Sequence, residues 1–399
     1  MQVSNVYNNL RFSYDWLKNI ETPAFIYDEV AIERLLDLGN QVREQSSCKV
    51  LFSLKPFSFY DALAKMAPRL DGFAVSSLFE ARLASQIIGS GSVHITTPGI
   101  RSEETAEIGT ICNFISFNSL PQWDLYHEEL KVQLSCGLRV NPQLSFVDDQ
   151  RYDPCRPYSK LGVPLADLVT VATRDPERLS GVEGIHVHSN CESTDFTELR
   201  TTVMHLHDEL GNLLQRVKWI NLGGGYLIGD SKDLTPFYEA VEFLRANYGL
   251  QVFIEPGSAF IQSAGYIVST VLDVYQSGYA NIAVLDTTVN HMPEVFEYGY
   301  EPDIIGHDND AAFEYILAGC TCLAGDVFGE YGFDRPLKVG ERIVFYNVGA
   351  YTLSKAHMFN GVNLPAIYAL TEAGDLVLKQ RFTYDDFAAK WGANARINH

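Results

Sequence analysis

The chain has 399 residues, 46% of them hydrophobic and 20% charged, and its 50 acidic against 30 basic side chains give a formal net charge of −20. That length holds one α/β barrel of roughly 250 residues plus a smaller domain, and no apolar run reaches the roughly 20 residues that span a bilayer. So acidic a chain excludes a nucleic-acid partner held through its phosphates; the charge suits plain solubility, and also a cationic small-molecule substrate steered by a negative field.

The first residues, MQVSNVYNNLRFSYDW, carry neither the basic start nor the apolar stretch of a leader, which sets a cytoplasmic expectation. Pro23–Tyr27 reads as a strand belonging to either domain. Short apolar, β-branched runs then alternate with helical patterns: Lys49–Leu54, Gly72–Val75, Val93–Thr96, Asn113–Phe117, Val132–Val140, Gly184–His188, Val217–Leu222 and Val252–Glu255. Phe79–Ile88, Thr194–Arg216 and Thr235–Tyr248 read as helices, whereas Asn141–Pro164 reads as a long, proline-bearing loop. This βα rhythm predicts a closed (β/α)₈ (TIM) barrel over residues 28–262.

After Glu255 strand-like runs with turn residues take over: Gly265–Val274, Ile282–Leu285, Tyr315–Leu317, Arg342–Phe345 and Pro365–Ala369. They predict a β domain over 263–399, joined by 1–27. No internal repeat or low-complexity tract is visible. Cys48, Cys112, Cys136, Cys155, Cys191, Cys320 and Cys322 are odd in number and thinly spread, the pattern of thiols in a reducing compartment and not of a disulfide framework.

In such a barrel the chemistry sits where strands end. Lys55 follows VLFSL, Arg139 lies near the end of SCGLRV, His188 ends GIHVH, Gly223–Gly225 follow WINL and Glu255 ends QVFIE. Taken singly, each has a bland reading as a strand-end charge, a packed histidine or a tight turn. Together they suggest more. A desolvated lysine near other cations has a lowered pKa and can form an imine with an aldehyde cofactor, most commonly pyridoxal 5′-phosphate (PLP). The triple glycine lets backbone amides approach an anion. It fails as a dinucleotide fingerprint because the sixth position from Gly223 is Ile228.

Glu255 beside a pyridine nitrogen would keep that nitrogen protonated and the ring an electron sink. His186, on the same pleat side as His188 but deeper, reads as structural. Cys320 and Cys322 have no second Cys/His cluster to complete a metal site, so no metal is expected, and a thiol acting as proton donor is the better reading.

The chain carries, in order, TPAFIYD (22–28), LKPFS (54–58), FNS (117–119), GLRVNP (137–142), SKLGV (159–163), HVHSNCE (186–192), KWINLGGG (218–225), EPG (255–257), CLAGD (322–326) and YTLSKAHMFNG (351–361). With these motifs it resembles the PLP decarboxylases of the alanine-racemase-like barrel group, which includes ornithine and diaminopimelate decarboxylases, and within it the carboxynorspermidine/carboxyspermidine decarboxylases. The resemblance implies that Lys55 bonds PLP, that His188 stacks on its ring, and that Glu255 meets its pyridine nitrogen. Gly224 and Gly225 would contact its phosphate, with Arg139 and Tyr351 also serving the cofactor.

It further implies Cys322 as proton donor to the α-carbon, Asp286 and Asp326 as anchors for a distal amine, and a homodimer in which Cys322 and Asp326 complete the partner's site. The implied reaction is decarboxylation of a carboxylated polyamine to the amine and carbon dioxide. Ser258 departs from the pattern where the broader group has arginine and this branch glutamate, and Ala74 replaces an acidic position of ornithine decarboxylases. The alternatives are a decarboxylase of another aminocarboxypropyl-bearing or diamino-acid metabolite, and a racemase, which would need a second base facing Lys55 and no CLAGD cysteine. A non-enzymatic PLP carrier would lack the β domain, and a barrel hydrolase would need paired carboxylates or a metal cluster.

Overall fold

Buried β-branched and aromatic runs take strand geometry from β1 (Ala24–Asp28) onward, all five of whose residues are buried. The computed structural model describes residue 17 and residues 19–393. The amino-terminal leader reading, and the parts of the predicted β domain at 1–16, 18 and 394–399, lie outside the described residues. The chain divides into two compact units, Arg34–Phe260 and Met1–Glu33 with Ile261–His399.

In the first unit, β2 (Lys49–Ser53), β3 (Gly72–Val75), β4 (Ser92–Thr97), β5 (Phe114–Phe117) and β6 (Ser135–Asn141) pair in parallel in chain order. A short β7 (Val163–Pro164) adds to β6, and β8 (Gly184–Val187), β9 (Trp219–Asn221) and β10 (Gln251–Ile254) continue the sheet. β10 then pairs with β2 and β5 with β6, which closes eight parallel strands into a barrel. Strands covered on both faces must be apolar at nearly every position, as GFAV of β3 is.

The helices earn their places through one apolar stripe each. Thr197–Leu214 buries Leu199, Val203, Leu206, Leu210, Leu213 and Leu214. Thr235–Tyr248 has proline in its first turn and stops at Gly249, whose φ of 66° closes the end as a left-handed cap. The predicted start of β6 at Val132 gives way to a turn: the amides of Gln133 and Leu134 both donate to Leu130 O, so the chain is still wrapping off the preceding helix.

Inside the barrel Leu51, Ala74, Trp219 and Phe253 form a cluster. His94 stacks on Phe114 at 4.1 Å. The Trp219 indole fills the space that a side chain at residue 184 would need, since a Cβ built on Gly184 falls 2.0 Å from it. Gly184→Ala is therefore expected to destabilise the protein by about 3 kcal/mol through overpacking. A lowered urea midpoint measures it, and an unchanged midpoint would show that Trp219 can move aside.

In the second unit β11 (Gly265–Ser277), β12 (Ala280–Leu285), β13 (Phe313–Ala318), β14 (Val327–Phe333), β15 (Arg342–Phe345), β16 (Ala366–Leu370) and β17 (Leu376–Gln380) build one sheet with β1. Its order is β14-β13-β12-β11-β1-β16-β17, with β15 also on β11. β1 therefore belongs to this sheet, antiparallel to β11 and parallel to β16. β14 and β17 escape the sequence reading because VFGEYGF carries two glycines and a glutamate, while LVLKQ has no buried position. No helix among the described residues is long and apolar enough to cross a membrane.

Candidate active site

Lys55 sits just past β2, where Leu54 N donates to Ala74 O and Phe57 N to Leu54 O. Its side chain opens into the space of the barrel mouth, yet the surrounding walls leave it poorly solvated. That desolvation lowers its pKa from the usual 10.5; the negative charge of Glu255 opposes the shift and the positive charge of Arg139 adds to it. A lysine so placed carries a larger fraction of free, nucleophilic amine at neutral pH than one in water.

Glu255, just past β10, is a buried-type carboxyl whose pKa is pushed up by desolvation, with Asn221, Lys55 and Arg139 pulling it back. Asn221 Nδ2 donates to Glu255 Oε1 at 2.6 Å, and Asn221 Oδ1 accepts from Gly223 N at 2.9 Å. Asn221 thus ties the glycine turn to the carboxylate. The sequence reading missed it, although a polar residue at the inner end of a buried strand was the available signal. Glu80 was missed as well: its charge acts on Lys55, and its Oε2 accepts from Ser76 N at 2.6 Å.

The glycine turn leaves no room for side chains. A Cβ at Gly224 would lie 2.3 Å from Glu255 O, and one at Gly225 would lie 2.1 Å from Asn190 O. Gly223 and Gly225 also have φ of 68° and 88°, which glycine adopts without strain. Gly224 N donates to His188 Nδ1 at 3.0 Å. The amide expected to meet a phosphate here meets the histidine. The Gly225 amide has no acceptor among the described residues and remains available.

Because His188 Nδ1 accepts, the ring hydrogen lies on Nε2. Burial first, then the charges of Lys55 and Arg139, hold its pKa well below 6.5, so the imidazole is neutral. Arg139, on β6, is half-buried, and its charge acts on Lys55, Glu255 and His188.

The second unit holds its own group of predicted residues. Cys322 is exposed, and its amide donates to Asn360 Oδ1 at 2.8 Å, which links the CLAGD and FNG loops. Asp326 is only 3% exposed. Its carboxylate accepts from Val289 N at 2.8 Å and Thr321 N at 3.0 Å. Asp326, expected as a substrate anchor, braces the loop that carries Cys322 through these bonds.

Asp286 is half-buried and accepts from Ser269 Oγ at 2.7 Å, Thr270 N at 2.8 Å and Thr22 Oγ1 at 2.6 Å. Tyr351 is half-buried with φ of 56°, an uncommon backbone region for a residue other than glycine. His291 is buried, with Nδ1 3.0 Å from Thr287 Oγ1. All seven cysteines are free, four of them buried.

A lysine of lowered pKa, a desolvated carboxylate, a neutral imidazole and a glycine turn at the strand ends of a parallel barrel define a PLP enzyme of the barrel class. The fit rests on the donor set: the turn packs so tightly that only glycine fits, and Glu255, poorly solvated, offers a carboxylate to a pyridine nitrogen.

The family model for pyridoxal-dependent decarboxylase, C-terminal sheet domain, matches residues 12–349, and the chain belongs to that family. It is 35% identical over 384 residues to a carboxyaminopropylagmatine decarboxylase of Synechocystis sp., covering 94% of this chain and 97% of that one. It is 32% identical over 388 residues to a carboxynorspermidine/carboxyspermidine decarboxylase of Campylobacter jejuni subsp. jejuni, covering 94% and 99%. The crystal structure of carboxynorspermidine decarboxylase complexed with norspermidine from Campylobacter jejuni superposes with a TM-score of 0.84 at 31% identity, covering 93% of this chain and 100% of that one. The protein is a PLP-dependent decarboxylase, and the racemase, carrier and hydrolase readings fall away.

Proposed function

We propose that this decarboxylase acts on a carboxylated polyamine, carboxynorspermidine or carboxyspermidine, and releases the amine and carbon dioxide. The carrying observation is near full-length likeness, at 31% identity, to a decarboxylase complexed with norspermidine. A second reading, carboxyaminopropylagmatine, is favoured by the 35% identity to the Synechocystis enzyme. Both substrates share an aminocarboxypropyl end, and they differ in the cation at the far end.

PLP, when bound, supplies the electron sink that makes loss of the α-carboxylate feasible. Lys55 would hold it through its free amine, and the Glu255 carboxylate would favour a protonated pyridine nitrogen. His188, neutral and fixed by Gly224, would stack on the cofactor, and the Gly225 amide, Arg139 and Tyr351 would help to hold it. Cys322 Sγ donates the proton that replaces the carboxylate, and the half-buried Asp286 holds the distal amine.

We assign the barrel to 28–262 and the β domain to 1–27 and 263–399, with Cys322 completing the site of a partner copy in a homodimer. The free thiols suit a cytoplasmic enzyme.

The test is carbon dioxide release by the PLP-loaded protein from carboxynorspermidine, carboxyspermidine, carboxyaminopropylagmatine, diaminopimelate, ornithine, lysine and arginine. One carboxylated polyamine is expected to exceed the simple amino acids by ~10²-fold or more in kcat/KM, because a site built around a distal cation loses those bonds with a shorter substrate. Preference for diaminopimelate or lysine would overturn the reading.

A further inference from the structure

We infer that His186 is a positioning residue that, with Asn221, holds Glu255 charged and oriented; the inference rests on the reading of Glu255 as the pyridine-nitrogen partner. His186 lies on β8 and is 2% exposed. Its Nδ1 is 3.2 Å from Thr96 Oγ1 on β4. Its Nε2 is buried with no hydrogen-bond partner among the described residues and sits 3.8 Å from Glu255 Oε2. The other oxygen of the same carboxylate takes the Asn221 bond at 2.6 Å.

A buried ring nitrogen without a partner is uncommon in folded proteins and asks for a reason. Here the reason lies in what it faces. Burial, followed by the charges of Arg139, His94 and Lys55, holds His186 well below 6.5, so the ring is neutral. The hydrogen is assigned to Nε2, with Nδ1 accepting from the Thr96 hydroxyl, because the other tautomer would turn a lone pair toward the carboxylate oxygen 3.8 Å away. The separation is too long for a hydrogen bond but short for a charge–dipole attraction in a poorly solvated site.

Glu255 needs such help, because desolvation pushes its carboxyl toward the neutral form. A neutral carboxyl could not keep a pyridine nitrogen protonated. The groups facing the carboxylate are Asn221 from β9, His186 from β8, Arg139 from β6 and Lys55 after β2. Asn221 and His186 are the two uncharged groups of this set, Asn221 bonded to one oxygen and His186 3.8 Å from the other.

The test uses the PLP-loaded protein and two variants, His186→Phe, which keeps a ring and removes the donor, and His186→Gln, which keeps a donor. The readouts are PLP affinity and the pH titration of the bound cofactor's visible spectrum. His186→Phe is expected to weaken PLP about tenfold or more, the effect typical of losing a partner behind a ligating group, and to move the spectral midpoint. His186→Gln restores both toward wild type.

A folded His186→Phe protein with wild-type affinity and titration overturns the inference and leaves His186 a packing residue. Should His186→Phe fail to fold, Thr96→Val replaces it: it leaves the ring in place but frees its tautomer, and an unmoved titration there is equally decisive. Glu255→Gln run alongside separates the two claims, because wild-type affinity and spectrum in that variant would sink the role of Glu255 itself.

Discussion

Lys55→Ala loses the visible absorbance of the bound cofactor and at least ~10⁴-fold in kcat/KM, as expected when a covalent anchor is removed. The side chain is open to the barrel mouth and not part of the packed core, so the variant should melt as the wild-type apoprotein does. Lys55→Arg keeps the charge, cannot attach the aldehyde, and should fail equally. Absorbance and carbon dioxide release settle it together: a variant that keeps both would remove Lys55 from the chemistry.

The lowered pKa of Lys55 adds a pH signature. A lysine whose charged form is disfavoured loses its proton at lower pH than the usual 10.5. The rate at which apoprotein recaptures PLP should therefore rise with pH and level off below 10.5. A rate still climbing through 10.5 would mean that the lysine is solvated and unperturbed.

Cys322→Ala should fold and keep the bound-cofactor spectrum while amine formation falls by ~10²-fold or more, the usual contribution of a positioned proton donor. Its side chain is exposed and its loop is held through the backbone, by Asn360 on the Cys322 amide and by Asp326 on Thr321 and Val289. Truncating the thiol leaves those bonds intact. Amine and carbon dioxide should then part company, with less amine recovered than carbon dioxide released.

The dimer proposal gives the same residue a sharper test. Mixing inactive Lys55→Ala with inactive Cys322→Ala and allowing exchange should restore about a quarter of wild-type activity, since half the dimers are mixed and each of those has one intact site. No recovery in a mixture shown to contain mixed dimers would place Cys322 in its own chain's site.

The barrel and the sheet that follows it were legible because their signals are local. Thr235–Tyr248 is bounded by Pro236 and Gly249, and Gly72–Val75 and Arg342–Phe345 are short buried runs between polar residues. The strand-end positions of Lys55, His188 and Glu255 were legible for the same reason. What stayed hidden depends on partners far away in sequence. Asn221 meets Glu255 across 34 residues, and Asn360 meets Cys322 across 38. No periodicity encodes such pairs.

The Gly224 amide shows the limit of a motif: its glycines announce close approach, but only the fold shows that His188 is what approaches. Asp326 is similar, since a conspicuous acid in CLAGD turns out to be buried among backbone donors. β17 was missed because an exposed edge strand has no need of the apolar pattern that marks a core one.

The position of β1 bears on how the protein is born. Ala24–Asp28 leaves the ribosome ahead of every barrel strand, yet its two neighbours in the sheet are Gly265–Ser277 and Ala366–Leu370. The barrel's parallel pairs link segments near one another in the chain, apart from the closure of β10 on β2, and can assemble during synthesis. β1 cannot: it waits unpaired until Gly265–Ser277 emerges behind the whole barrel, and its other edge stays open until Ala366–Leu370 follows. A ribosome stalled before Leu370 therefore exposes a sticky edge, and full-length translation doubles as a checkpoint on solubility.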